Sequence, residues 1–240
     1  MTRPRVTVIC GAYGAGKSEC SIALARTLPA PVTLIDLDVV NPYFRSRQAR
    51  ELLEAEGITV IGNSLRIDAG IDLPAIPGAV APALSDTTRA VVVDLGGDAA
   101  GARALRQFLP SLPVDATELV YVVNRFRPEN RDVLRTRASL RAIEAEIGVP
   151  CTGLISNSHM LHETTEEHVR VGLRLCRELT AETRIPVAYI AGDRTVLESW
   201  AATAPRAAMV PPATEPHLYL TGVLREEWMN MRSERCHEDS

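Results

Sequence analysis

The sequence predicts an α/β protein: a three-layer, doubly wound, mostly parallel sheet with helices on both faces. Short Val- and Ile-rich runs alternate with longer stretches of helical period along most of the chain, which is the pattern of strand–helix–strand crossovers. Several of those runs are apolar throughout, as strands covered on both faces of a parallel sheet are. At 240 residues one large domain can form a core without disulfide or metal staples. Hydrophobic residues make up 46%, which excludes intrinsic disorder. No apolar run reaches the roughly 18 residues of a membrane-spanning helix.

The strand runs are 6–10, 32–35, 58–61, 90–93, 118–123, 153–155 and 187–190. Helical stretches fall at 17–28, 46–56, 100–109, 129–147 and 165–183. In the fourth, Leu134, Ala138, Leu140, Ile143 and Ile147 form an apolar stripe opposite arginines and glutamates, the mark of a helix lying on a core. The fifth opens with Thr164 and Glu167, the spacing of a capping box. Segment 67–83, with Pro74, Pro77 and Pro82, reads as loop and broken helix.

Several classes of function are disfavoured by composition. A net charge of −4 argues against a protein built around nucleic-acid phosphates. The five cysteines lack C-x-x-C spacing, so neither a disulfide framework nor a zinc ribbon is suggested. The apolar run 6–10 is too short for a signal peptide, and a cytoplasmic protein is expected. One bias is informative: of the 26 basic residues, Lys17 alone is lysine. A lysine kept in such a chain marks a site that needs a compact ammonium and not a planar guanidinium.

That lysine lies in Gly11-Ala12-Tyr13-Gly14-Ala15-Gly16-Lys17-Ser18, which satisfies G-x-x-x-x-G-K-[ST]. The loop follows an apolar strand and precedes an apolar helical stretch, the setting that gives the pattern its mechanism. The glycines let the backbone curl until successive N–H groups aim at one anion, and the helix N-terminus adds partial positive charge. Residues 11–19, ending in Ser18 and Glu19, therefore form the candidate phosphate cradle, with Lys17 reaching the β- and γ-phosphates and Ser18 ligating Mg²⁺. Residues 1–204 accordingly read as a P-loop nucleotide-binding domain. Beyond the Pro-rich stretch 205–216, residues 205–240 read as a C-terminal extension packing on that domain, its end frayed. The tail after Leu224 carries Trp228 but is net acidic, unlike a membrane-surface helix.

A Mg-nucleotide site also needs carboxylates at the same sheet edge. Strand 32–35 runs into Asp36-Leu37-Asp38, whose alternation puts both acids on one face, able to approach Mg²⁺ directly or through water. The plainer alternative is that one of them makes an Asx-turn before Asn41-Pro42. Strand 90–93 ends at Asp94, followed by Leu95-Gly96-Gly97-Asp98. Asp94 is the candidate second metal ligand, and the Gly97 N–H is placed to touch a γ-phosphate. Because Leu95 and not a glutamate follows Asp94, the carboxylate acting on water is Asp38 or Asp98.

The run GAYGAGKS, DLDVVNPYFRSR, VVVDLGGDAAGAR and GLISNSH resembles the MinD/ParA/CobQ-type nucleotide-binding domains of the P-loop superfamily, across about residues 5–200. More narrowly it resembles bacterial ATP-binding proteins with a D-x-D-x-x-N-P-Y-F-R element. The resemblance implies that Asp38 acts on the attacking water and that Asn157 reads the adenine edge, with Asn124 the other candidate. It also implies that Ala191-Gly192-Asp193 backs the base. For both asparagines the plainer role is capping a strand-end loop. The chain departs from the pattern at Ala12, where dimerising members carry a second lysine. Arg45 and Arg47 are possible substitutes, although among so many arginines they also suit a solvated face. His159 and His162 show no defensible metal spacing, and Tyr43-Phe44 is either a partner patch or a loop anchor. No N-K-x-D guanine-reading motif occurs, so ATP is expected over GTP.

The resulting expectation is Mg-dependent ATP binding and slow hydrolysis, with Lys17 and Asp38 catalytic, driving a switch that acts on an unidentified protein client. A homodimer is possible. The alternatives are a small-molecule or nucleotide kinase and a non-hydrolysing ATP-bound scaffold.

Overall fold

The structure, a computed structural model, describes residues 4–38, 47–62, 78–97, 99–203 and 215–222. Asn41, Pro42, Tyr43, Phe44, Arg45, the side chain of Arg47, Asp98 and the tail after Leu224 lie outside the described residues.

The elements in order are β1 (Val6–Gly11), α1 (Lys17–Thr27), β2 (Val32–Leu37), α2 (Arg47–Ala55), β3 (Ile58–Ile61), α3 (Val80–Ser85), β4 (Ala90–Leu95) and α4 (Ala99–Arg106). There follow β5 (Thr117–Val123), α5 (Val133–Ile147), β6 (Gly153–Ser156), α6 (Glu166–Thr183), β7 (Val187–Asp193), α7 (Arg194–Thr203) and β8 (His217–Leu220). They build one eight-stranded sheet in the order β3-β2-β4-β1-β5-β6-β7-β8, and every pair is parallel.

Strand alternation sorts the core into two layers. Val6, Val8 and Cys10 of β1 pack with Leu84 of α3, Leu105 of α4, Leu140 of α5 and Leu179 of α6 on one face. Ile9 of β1 packs with Cys20, Ile22 and Leu24 of α1 and Leu53 of α2 on the other. Every residue of β1 and β2 is buried, as strands covered on both faces of a parallel sheet are.

Several readings change in detail. β1, β2, β4 and β7 each run one to three residues past their apolar cores, because the ladder continues through polar residues such as Asp36 and Asp94, which lie in register. The cap of α6 sits at Thr165, one residue beyond the expected Thr164, and the Thr165 N–H donates to His168 Nδ1 at 2.9 Å. Thr164 closes the preceding turn, its hydroxyl donating to the Leu161 carbonyl. Within the proline-rich segment α3 forms, with Pro82 in its first turn, where a missing N–H costs no helical hydrogen bond. Residues 217–220, inside the stretch read as an extension, form β8 on the edge of β7.

Candidate functional site

The site lies at the C-terminal ends of β1, β2 and β4. β1 delivers the loop, and Gly16, at φ 90°, caps α1 in the left-handed region where a side chain is strained. A methyl on Gly16 would also stand 2.3 Å from Asn157 Nδ2. Lys17 is buried, and the Ala12 carbonyl accepts from its Nζ at 3.2 Å and from the Ala15 N–H at 3.2 Å. Tyr13, at the loop tip, is 69% exposed. Gly97 closes over the loop from the β4 side: a methyl there would lie 2.7 Å from Lys17 Nζ and 2.8 Å from the Tyr13 nitrogen. The two segments touch where only a residue without a side chain fits.

Asp94 is fully buried beneath the loop. Ser21 Oγ stands 3.2 Å from Asp94 Oδ1 and 2.9 Å from the Lys17 carbonyl, and its single proton serves one of them at a time. Asp94 Oδ2 is buried with no hydrogen-bond partner among the described residues. Burial pushes the Asp94 carboxyl up to about 6, although hydrogen bonding from Ser18 and the charge of Lys17 pull the other way. Asp38 adds to the rise, which puts the two carboxylates within electrostatic reach.

Asp38 is itself buried, and its Oδ1 would lie 3.3 Å from a methyl on Gly96. Asp36 behaves differently. Its Oδ1 accepts the Asp38 N–H at 2.9 Å, an Asx-type contact, and its side chain abuts Gly62 at the end of β3. Of the two acids read from the second strand, Asp38 therefore faces the loop exit of β4, while Asp36 supports the backbone of Asp38.

These groups fit a Mg²⁺ ion. An orphaned buried oxygen of Asp94, the Asp38 carboxylate within its electrostatic reach and the Ser18 hydroxyl are all the hard oxygen donors that ion takes. No group of three or more His, Cys, Asp or Glu able to hold a metal occurs among the described residues.

The two asparagines have different settings. Asn157 is fully buried at the end of β6; its Nδ2 donates to the Ala15 carbonyl at 2.9 Å, and its Oδ1 has no partner among the described residues. Asn124 ends β5 and caps the following turn, its Oδ1 accepting the Phe126 N–H at 3.1 Å. Asp193 ends β7 and caps α7 through the Thr195 N–H at 2.9 Å. Sequence reasoning missed Ser21, whose signal was its position one turn along the helix from Lys17. His159, given no metal role by the sequence, accepts the Leu161 N–H on Nδ1 at 3.4 Å, and its Nε2 would lie 3.3 Å from a methyl on Gly16; Arg127 was missed.

A glycine-rich loop between a central parallel strand and a helix, with an acid ending the neighbouring strand, makes this the α/β fold of P-loop nucleoside triphosphatases. Solved structures match it as a fold. One is chloroplast FtsY from Physcomitrella patens, with 20% identity and a TM-score of 0.52 over 79% of this chain and 59% of that one. Another is the signal recognition particle receptor FtsY from Elizabethkingia anophelis, with 18% identity and a TM-score of 0.51 over 79% of this chain and 59% of that one. The chain thus spans less than two thirds of the length of these neighbours. No protein-family model matches the chain, and no curated protein matches it in sequence. No helix among the described residues is long and apolar enough to cross a membrane.

Proposed function

We propose that this protein binds Mg·ATP in the Gly11–Ser18 loop, hydrolyses it slowly, and uses the nucleotide state to switch its action on a protein partner. The observation that carries the reading is the buried Lys17 ammonium set beside Gly97 and above the half-satisfied Asp94. Lys17 and the backbone N–H groups of residues 12–19 bind the phosphates, and Asp38 orients the attacking water. Mg²⁺, when bound, neutralises charge on the phosphate oxygens; Ser18, Asp94 and Asp38 are the residues that would hold it. Gly97 meets the γ-phosphate, which couples its presence to the segments after β2 and β4.

Adenine is favoured because the residue three after Asn157 is Met160. A guanine reader needs a carboxylate there to accept from the base N1–H and N2–H groups. Asn157 is the candidate reader of the adenine edge. The switch is read as cytoplasmic and of the MinD/ParA/CobQ type, with residues 1–204 as its nucleotide-binding domain and 205–240 as an extension that supplies β8.

Calorimetric titration with Mg²⁺ and ATP, ADP or GTP, followed by phosphate release, tests this. ATP is expected to bind at least about 10-fold more tightly than GTP, with slow turnover that Asp38→Asn abolishes. Absence of nucleotide binding by the wild type overturns the reading, and turnover unchanged in Asp38→Asn removes Asp38 from it.

A further inference from the structure

The turn after β5 carries a cation that sequence alone leaves indistinguishable among the arginines. Arg127 Nε donates to the Gly14 carbonyl at 2.7 Å, and a methyl on Gly14 would meet Arg127 Nε at 3.1 Å and Cζ at 3.3 Å. We propose that Arg127 is a second cation of the nucleotide site, holding the tip of the phosphate loop and binding the part of the phosphate chain that di- and triphosphates share. The proposal rests on the nucleotide-binding reading above.

Three observations support it. The first is the effect on the loop. A peptide unit is planar and trans, so a Gly14 carbonyl drawn toward Arg127 turns the Ala15 N–H the opposite way, where the Ala12 carbonyl accepts it at 3.2 Å and closes the turn of the loop.

The second is the rigidity of the perch. The Arg127 N–H donates to the Asn124 carbonyl and the Asn130 N–H to the Arg127 carbonyl, each at 2.9 Å. Asn130 is fully buried; its Oδ1 accepts the Asn124 N–H, and its Nδ2 donates to Tyr121 Oη at 3.0 Å. Tyr121 Oη in turn donates to Ser139 Oγ at 2.9 Å. A buried, satisfied network of this kind holds one conformation, more than a solvated surface arginine needs.

The third is the charge itself. Among the described residues no carboxylate forms a salt bridge with Arg127, and neither Nη group has a hydrogen-bond partner, whereas Arg26 and Arg137 are paired with Glu56 and Glu182. The two Nη groups, with four N–H donors between them, and a full positive charge remain beside Gly14. β4, which leads to Gly97, and β5, which leads to Arg127, flank β1 on opposite sides, so Gly97 meets the loop at Tyr13 and Arg127 meets it at Gly14 from the opposite side.

The test uses the full chain and titrates Mg·ATP and Mg·ADP into wild type, Arg127→Gln, Arg127→Ala and Lys17→Ala, with thermal melts to establish folding. Glutamine places an N–H donor at the chain position of Arg127 Nε, so Arg127→Gln keeps a donor for Gly14 and removes only the charge. Arg127→Gln is expected to weaken ATP and ADP equally, by about 10-fold. The rise in KM then carries the larger share of the fall in kcat/KM, and added salt narrows the gap to wild type. ATP and ADP affinities equal to wild type would overturn the proposal, leaving Arg127 a prop for the loop. A loss confined to ATP and expressed in kcat would overturn it too, by moving the residue to the γ-phosphate. If wild type binds no nucleotide, the underlying function reading fails first, and that result is read from the wild-type titration alone.

Discussion

Lys17→Ala is expected to weaken Mg·ATP binding by roughly 100-fold or more, with little loss of folding stability in the absence of nucleotide. Lys17 is only 6% exposed, and the one described hydrogen bond of its ammonium is to the Ala12 carbonyl. A charge-assisted hydrogen bond to phosphate from such a position contributes about 3 kcal/mol, equivalent to roughly two decades in affinity. Lys17→Arg is the more telling variant. A methyl on Gly97 would already stand 2.7 Å from Lys17 Nζ, so a planar guanidinium has no room without displacing the β4 loop. The arginine variant is expected to bind ATP no better than alanine does, although it preserves the charge. Calorimetry on the three proteins decides it, and wild-type affinity in Lys17→Arg would sink the steric account. The same geometry explains why the only lysine in the chain stands here.

Asp94→Asn is expected to stabilise the nucleotide-free protein while abolishing Mg-dependent hydrolysis. Burial raises the Asp94 carboxyl from 3.8 to about 6 in the fold, so the folded state binds that proton more tightly than the unfolded chain. Below about pH 4 both states are protonated and the wild type carries no penalty. As pH rises toward 6 the unfolded chain ionises first, and wild-type stability falls; above about 6 the cost levels off near 3 kcal/mol. Asparagine has no such titration. Urea midpoints in the absence of Mg²⁺ should therefore favour Asp94→Asn by about that amount at pH 8, the advantage vanishing toward pH 4. Saturating Mg·ATP should reverse the order, because only the carboxylate form gains from the ion. An asparagine variant less stable than wild type at pH 8, or a difference that does not vary with pH, would refute this assignment of Asp94. On this account Asp94 is a charge the empty fold tolerates at a cost because the loaded site needs it.

How far the sequence could be read depended on whether each role leaves a local pattern. Lys17, Ser18 and Asp94 were legible because the loop has fixed spacing and a parallel strand ends where its apolar run meets an acid. The strand pattern offered Asp36 and Asp38 together and the family resemblance singled out Asp38; the structure adds that Asp36 is occupied by an Asx-type contact. Ladder pairing ignores side-chain polarity, so the strands overran their apolar cores through Asp36, Asp94 and Asp193. β8, a four-residue His-Leu-Tyr-Leu strand beyond a proline-rich stretch, gave too short a signal to separate from coil. Arg127 gave none. Its importance comes from a tertiary contact with Gly14, 113 residues away, and from a buried asparagine and tyrosine that hold its turn.

The last strand has a bearing on the first loop. Leu218 and Leu220 of β8 share a core with Cys20, Ile22 and Leu24 of α1, the helix whose first residues are Lys17 and Ser18. A chain ending at residue 204 would retain the whole phosphate cradle, yet leave the β7 edge bare and remove the part of that helix's packing that Leu218 and Leu220 supply. An uncovered parallel edge invites pairing between molecules. For the proposed switch the nucleotide-binding unit thus includes β8, so that a helix from the start of the described chain and a strand from its end share one core layer.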